Sequence, residues 1–250
     1  MAINFSYNLA DFVIRAYAKV MLRMDIQLHN PLPAGPRIFV ANHPSAMDPF
    51  LIHALIPGQV SVLITKSAFD VPVFGAFIRR TGQIPVVGLG DKALEEACQV
   101  LKEGGSVALF PEGTFSPREG GFQRPRTGAA RLALMSGASV VPLGIHLLRE
   151  RSLTIRSVIK GKSTVGYWYL YGPYHVTIGH AMQFAGDVND RRQLQAVAST
   201  IMTSIQALAV ESQGRVRKTR LVQAPACPKS ILPDRDGTPV PVFVGTGQGC

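Results

Sequence analysis

The chain reads as an α/β protein, a single domain with a mixed sheet flanked by helices. Three observations predict it. Short apolar runs bounded by Pro, Gly or charged residues recur along the chain, as buried strands do. Segments with three- and four-residue apolar spacing lie between them, as helices do. The 250 residues are enough for one such domain with a full core, and alternation of the two patterns puts helices on the faces of a sheet.

The elements follow in order. Residues 1–28 are expected to form an amphipathic N-terminal helix. Phe5, Leu9, Phe12, Val13, Ala16, Tyr17, Val20, Met21 and Met24 recur at helical spacing, with Arg15, Lys19 and Arg23 elsewhere around it. Such a helix either anchors at a lipid interface or packs on the domain. Residues 29–214 form the main domain. Strands are expected at Arg37–Ala41, Val60–Thr65, Gln83–Val87, Ser106–Phe110, Ser139–Gly144 and His175–Gly179. Helices are expected at Asp48–Leu55, Lys92–Glu103, Gly128–Met135 and Arg191–Val210. Asp91 is the expected cap of the second helix and Gly104 its stop. Residues 215–250 begin basic and become rich in Pro and Gly without periodicity, which predicts a disordered tail.

One segment carries chemistry. Asn42-His43-Pro44-Ser45-Ala46-Met47-Asp48 follows the apolar run Ile38–Ala41. On an unbroken helix, residues five apart do not face each other. Pro44 favours a helix start, and a break there lets His43 fold back onto Asp48. A histidine held by a carboxylate has a fixed tautomer and a supported imidazolium, so it can serve as a general base. A second segment, Ser106 to Thr114, runs an apolar strand into Phe110-Pro111-Glu112-Gly113-Thr114. It places a carboxylate, a permissive backbone and a hydroxyl at a strand's carboxyl end, where open α/β sheets bind ligands.

Together these segments resemble the glycerolipid acyltransferase family, typified by 1-acylglycerol-3-phosphate acyltransferases. Asn42, His43 and Asp48 match its N-H-x-x-x-x-D block. Phe110 to Thr114 with Ser116 match its F-P-E-G-T block. Lys66 to Val86 looks like the second block, Arg126 to Ala133 like the following helix, and Val140 to Gly144 like the closing block. The resemblance spans roughly residues 30–185. It implies transfer of a fatty acyl group from acyl-CoA or acyl carrier protein to a lysophospholipid hydroxyl in phospholipid biosynthesis. The first expected acceptor is 1-acylglycerol-3-phosphate. His43 and Asp48 are then catalytic. Asn42, Ser45, Glu112, Gly113 and Thr114 are expected to contact substrate. No cofactor and no metal are implied.

Two positions depart from the pattern. Arginines that the family associates with the acceptor's phosphate are replaced by Gly88 and Phe115. Arg79, Arg80 and Arg126, within or beside the matched blocks, are the candidate substitutes. Alternatives are an acceptor without a phosphate, such as an amino-acid lipid, or a non-catalytic lipid-binding relative. A serine hydrolase is disfavoured, because no G-x-S-x-G surrounds Ser45 or Ser116.

Composition points to a membrane surface. The net charge is +10, the pI about 9.9 and the mean hydropathy +0.17. Arg149, Arg151, Arg156, Lys160 and Lys162 form one basic cluster, and Arg215, Arg217, Lys218 and Arg220 another. No nucleic-acid motif accompanies them, so anionic lipid is the expected partner. No run of 18 or more apolar residues and no leader peptide is visible, so the expected location is peripheral, on the cytoplasmic face of a membrane. Cys98, Cys227 and Cys250 are too few and too scattered for a disulfide framework.

Overall fold

The computed structural model describes residues 5–71, 74–88, 90–159, 162–223, 231–233 and 239–241. They fall into two units, 1–216 and 217–250.

Helix α1 (Phe5–Val20) opens the first unit and leads through a turn into strand β1 (Asp25–Leu28). Then come β2 (Arg37–Ala41), α2 (Asp48–Leu55), β3 (Val60–Thr65), the short helices α3 (Lys66–Phe69) and α4 (Phe74–Arg80), and β4 (Ile84–Val86). Helix α5 (Asp91–Lys102), β5 (Ser106–Leu109), α6 (Gly128–Ser136) and β6 (Ser139–Leu147) follow. Strands β7 (Leu153–Ile159) and β8 (Lys162–Trp168), β9 (Tyr174–Ile178) and α7 (Arg191–Gln223) complete the order.

Seven strands form one sheet in the order β1-β9-β6-β2-β5-β3-β4. All neighbours are parallel except β6 and β9, so the sheet is mixed. Its central strands are buried on both faces, which is why they read as continuous apolar runs. Phe39, Ala41, Val62, Ala108 and Val141 pack on the side of α1 and α2. Ile38, Val40, Val107, Leu109 and Val140 pack on the side of α5, α6 and α7. The period-two alternation of a strand divides these residues between two cores, giving three layers.

Several expectations are corrected. The N-terminal helix stops at Val20, and Asp25–Leu28 joins the sheet edge beside β9 instead of extending the helix. Arg23 takes a positive φ of 42° at the turn between them. Helix α1 does pack on the domain: Ala18 is buried and Arg15 donates to the carbonyls of His53, Ala54 and Ile56 at the end of α2. Phe12, Val13, Val20 and Met21 remain exposed. Gly90, not Asp91, sits at the cap of α5, and Asp91 instead pairs with Arg131 at 2.6 Å. Gly104 ends that helix with φ +83°. The segment read only as a basic cluster forms the β7–β8 hairpin.

Helix α7 continues to Gln223, well beyond Val210. In the second unit, β10 (Ile231–Pro233) pairs antiparallel with β11 (Pro239–Pro241). The rest of the expected tail lies outside the described residues. Among the described residues no helix is long and apolar enough to cross a membrane, and no cluster of His, Cys, Asp and Glu could hold a metal.

Candidate active site

Strands β2 and β5 are parallel neighbours, so the loops leaving their carboxyl ends meet at one sheet edge. One loop carries His43 and the other carries Glu112. Three hydrogen bonds staple them. The His43 N–H donates to Glu112 Oε1 (3.1 Å) and to Ser116 Oγ (3.2 Å), and the Ser116 N–H donates to the His43 carbonyl at 2.9 Å.

The pairing expected from spacing is present. His43 Nδ1 lies 2.9 Å from Asp48 Oδ2. The helix does not begin at Pro44, however. It begins at Asp48, and Pro49 takes the early-helix position where a missing N–H costs nothing. Residues 42–47 are therefore loop and turn, which gives the imidazole room to reach back. Asp48 is fully buried and both oxygens of its carboxylate are hydrogen-bonded. Oδ2 also accepts the Ser45 N–H at 2.8 Å, and Oδ1 accepts the Tyr174 hydroxyl at 2.8 Å. Burial, reinforced by the negative Asp48, pushes the Tyr174 phenol well above its ordinary range. It therefore stays a neutral donor. Only 14% of the His43 side chain is exposed. With Nδ1 on Asp48, Nε2 is the ring nitrogen left for a substrate proton.

The other expected substrate contacts divide. Asn42 is fully buried, and its amide is bonded twice to the Ile145 backbone, donating at 2.9 Å and accepting at 2.7 Å. It locks β2 to β6. Ser45 is also buried, and its Oγ accepts from Met47 and Tyr169. Glu112 is almost fully buried and holds protein groups: Oε1 accepts from the His43 N–H and from Ser116 Oγ (2.5 Å), and Oε2 accepts from the Gln123 N–H at 2.7 Å. A buried carboxylate needs such donors to offset lost hydration. These three side chains build the site; their polar atoms are committed to protein. Thr114 is exposed.

Gly113 was expected to admit a close ligand, and a protein group approaches it instead. A Cβ there would lie 2.5 Å from Arg126 Cδ, and its φ is +64°. Only glycine satisfies both conditions. The Arg126 N–H donates to the Pro111 carbonyl, so the loop closes with Arg126 across the Glu-Gly-Thr turn.

Beside this turn lies a cavity of about 540 Å³. Leu63, Val86, Leu94, Leu109 and Phe110 supply apolar lining, and Arg126 and Arg131 supply charge. Gly88 and Gly113 line it too. The missing second-block arginine and its candidate substitute thus face one space. Arg79 and Arg80 are not in its wall; Arg79 instead donates to the Phe69 carbonyl at 2.7 Å.

Three features were not read from sequence. Tyr174 is one, supplied from β9. The second is an aromatic contact around the imidazole: Phe110 stacks on His43 at 4.2 Å between centroids, and Phe115 lies at 4.6 Å. Phe115 in turn meets Tyr167 of β8 edge-on at 5.5 Å. The third is Arg149, beyond β6. Burial lowers its guanidinium below the usual range, while Glu112, Asp48 and Glu119 oppose that shift. Local spacing carries no signal for any of them, because their partners come from distant strands.

A family model described as Acyltransferase matches residues 23–146. A chloroplastic 1-acyl-sn-glycerol-3-phosphate acyltransferase of Brassica napus is 30% identical over 143 residues, 53% of this chain and 41% of that protein. A 1-acyl-sn-glycerol-3-phosphate acyltransferase of Borreliella burgdorferi is 28% identical over 126 residues, 49% of each chain. The match therefore spans under half the length of either relative. The crystal structure of the 1-acyl-sn-glycerophosphate acyltransferase PlsC from Thermotoga maritima superposes with a TM-score of 0.56. It covers 88% of this chain and 83% of that one at 20% identity, which shows a common fold.

Proposed function

Because this chain belongs to the acyltransferase family, we propose that it moves a fatty acyl group from acyl-CoA or acyl carrier protein to the hydroxyl of a lysophospholipid, with 1-acylglycerol-3-phosphate as acceptor. The observation that carries the reading is the 2.9 Å contact between His43 Nδ1 and the buried Asp48 carboxylate. A binding module needs no such pair.

The chemistry follows from the geometry. His43 Nε2 takes the proton of the acceptor hydroxyl as its oxygen attacks the thioester carbonyl. Asp48 holds the tautomer and supports the imidazolium. The carbonyl carbon–sulfur bond then breaks, and the departing thiolate takes the proton back from His43. The products are the acylated lipid and the free thiol. No residue is acylated on the way. Glu112, Asn42 and Ser45 keep the two loops in register, and misplacing them would disturb a geometry on which rate depends steeply.

For the acceptor's phosphate, Arg126 is the candidate cation. It lines the cavity and lies across the turn that would otherwise end in an arginine. One observation favours a second reading, a lysolipid without a terminal phosphate. The position of that family arginine is occupied by Phe115, and its ring is turned to His43 and Tyr167. The exposed apolar residues of α1 and the basic excess support a peripheral membrane location, with the cytoplasmic face as the expected side.

The test is acyl transfer by the purified protein from acyl-CoA and from acyl carrier protein to a panel of lysolipids, read by mass spectrometry. His43→Ala should lower turnover at least about 100-fold while the protein stays folded. Near-normal transfer by folded His43→Ala protein would remove His43 from the mechanism.

A further inference from the structure

We propose that the β7–β8 hairpin is an arm that docks on an anionic lipid surface and carries the catalytic turn to it. The inference rests on the acyltransferase reading only for where the acceptor resides.

Among the described residues, β7 and β8 pair with each other and not with the seven-stranded sheet. The register Leu153↔Trp168 and Ile155↔Gly166 puts Leu153, Ile155 and Trp168 on one face. The pair Thr154↔Tyr167 belongs to the other. At its base that second face closes on the site: Arg118 donates to Thr154, and Tyr167 meets Phe115, while Val158 and Val165 further along it are exposed. The first face stays apolar and open. Leu153 is 52% and Ile155 46% exposed. Trp168 is half-buried and lies over Gly166, where a Cβ would meet Nε1 at 2.8 Å. A contiguous apolar face of this kind on a monomer marks an interaction surface.

Charge selects the occupant. From Glu150 to Trp168 the sequence holds Arg151, Arg156, Lys160 and Lys162 against one acidic residue, Glu150. Two such arms from two copies of a chain of charge +10 would repel. A cationic segment with an apolar face fits anionic headgroups over acyl chains, and tryptophan favours that boundary. The foot of the arm continues the surface. The Leu170 carbonyl accepts from Tyr17 of α1, and the Met21 carbonyl accepts from the Gly172 N–H; Met21 and Val20 are exposed beside it.

The same foot holds the catalytic turn. The Tyr167 carbonyl accepts from the Ala46 N–H at 2.7 Å, and the Tyr169 N–H donates to Ser45 Oγ at 3.1 Å. Ala46 and Ser45 lie between His43 and Asp48. Seating the arm on a bilayer therefore seats the turn at the surface where a long-chain acceptor sits.

Trp168 is the chain's one tryptophan, so its fluorescence reports on the arm alone. The full chain is titrated with phosphatidylcholine vesicles containing about a third phosphatidylglycerol, and with phosphatidylcholine alone. Docking predicts a blue shift of Trp168, protection from acrylamide and quenching by bilayer-embedded quenchers, all weaker at high salt. The Leu153→Ser/Ile155→Ser double variant should bind the anionic vesicles roughly tenfold more weakly, because it removes apolar area. It should keep its transfer rate with short-chain, water-soluble substrates. Sedimentation with vesicles while Trp168 emission and quenching stay unchanged would overturn the arm and leave membrane binding to α1. No sedimentation at low salt would overturn it too. So would a Trp168 shift that follows protein concentration without vesicles, which would make this face a contact between copies, or one that needs an added protein. Failure of acyl transfer itself would show in the short-chain assay and leave the vesicle result readable.

Discussion

The ring of Phe115 lies 4.6 Å from the imidazole of His43, centroid to centroid, and Tyr167 of β8 meets Phe115 edge-on. The imidazole is thus held by a carboxylate at one nitrogen and by aromatic contact with its ring, as the proposed base would need. Aromatic pairs of this kind are worth about 0.5–1.5 kcal/mol beyond their buried area. Phe115→Ala should therefore lower kcat by roughly three- to tenfold while changing KM for the thioester less. Phe115→Tyr should restore kcat. A KM defect alone, with kcat untouched, would mean that the ring contacts substrate and does not position the base.

How much of this site could be read in the chain depends on the range of each contact. The two loops of the candidate site were legible because each follows a buried strand and carries its polar residues within a short span. Strands Arg37–Ala41 and Val60–Thr65 and helix Asp48–Leu55 stand where their apolar patterns put them. The β7–β8 hairpin was not legible. It leaves apolar residues exposed on both strands, Leu153, Ile155 and Val158 on one and Val165 on the other, so no alternation between buried and solvated positions marks it. Strand β1, four residues long, was hidden behind the helical spacing that precedes it. Tyr174 and Tyr169 reach the turn between His43 and Asp48 from more than a hundred residues away, a separation at which one sequence has no local signal. Glu112 was legible as a carboxylate at a strand's carboxyl end, but its bonds to three protein donors were not.

Tyr174 supplies the donor to Asp48 Oδ1 from full burial. Tyr174→Phe leaves that oxygen without a partner in a dry interior, at a cost of about 1–3 kcal/mol of stability. The urea midpoint should fall accordingly. Turnover should fall less than in His43→Ala, since Ser45 still holds the other oxygen. An unchanged midpoint would show that Asp48 finds a replacement donor, such as a water.

Arg126 is the cation predicted to read the acceptor. A bidentate guanidinium–phosphate contact distinguishes a phosphomonoester from an uncharged head. The ratio of kcat/KM for lysophosphatidic acid over a matched lysolipid without the terminal phosphate should exceed about 100, equivalent to roughly 2.7 kcal/mol at the transition state. Arg126→Ala should collapse that ratio. Arg79→Ala should instead lower stability, because Arg79 holds the Phe69 carbonyl. A ratio near one in the unmodified enzyme would mean that Gly88 and Phe115 mark a different acceptor.

His53, near the end of α2, makes stability depend on pH. Burial lowers its pKa to about 4, Arg15 adds to the shift and Asp11 opposes it. The folded protein therefore keeps this ring neutral. Above the unfolded pKa of about 6.5 both states carry a neutral ring, and its contribution is fully present. As pH falls below that value the unfolded chain takes up a proton that the folded chain refuses. Stability is then lost at up to about 1.4 kcal/mol per pH unit until the folded group titrates. The loss by pH 5 should be about 2 kcal/mol. Asp25 acts elsewhere: burial opposes, but Arg215 and His175 outweigh it and hold the carboxyl below its usual range, so its contribution is lost only in stronger acid. Urea denaturation at pH 7 and pH 5 isolates His53 when the native chain is compared with His53→Gln. The native chain should lose more stability over this interval than the variant does. Equal losses in both would assign the acid sensitivity to other groups.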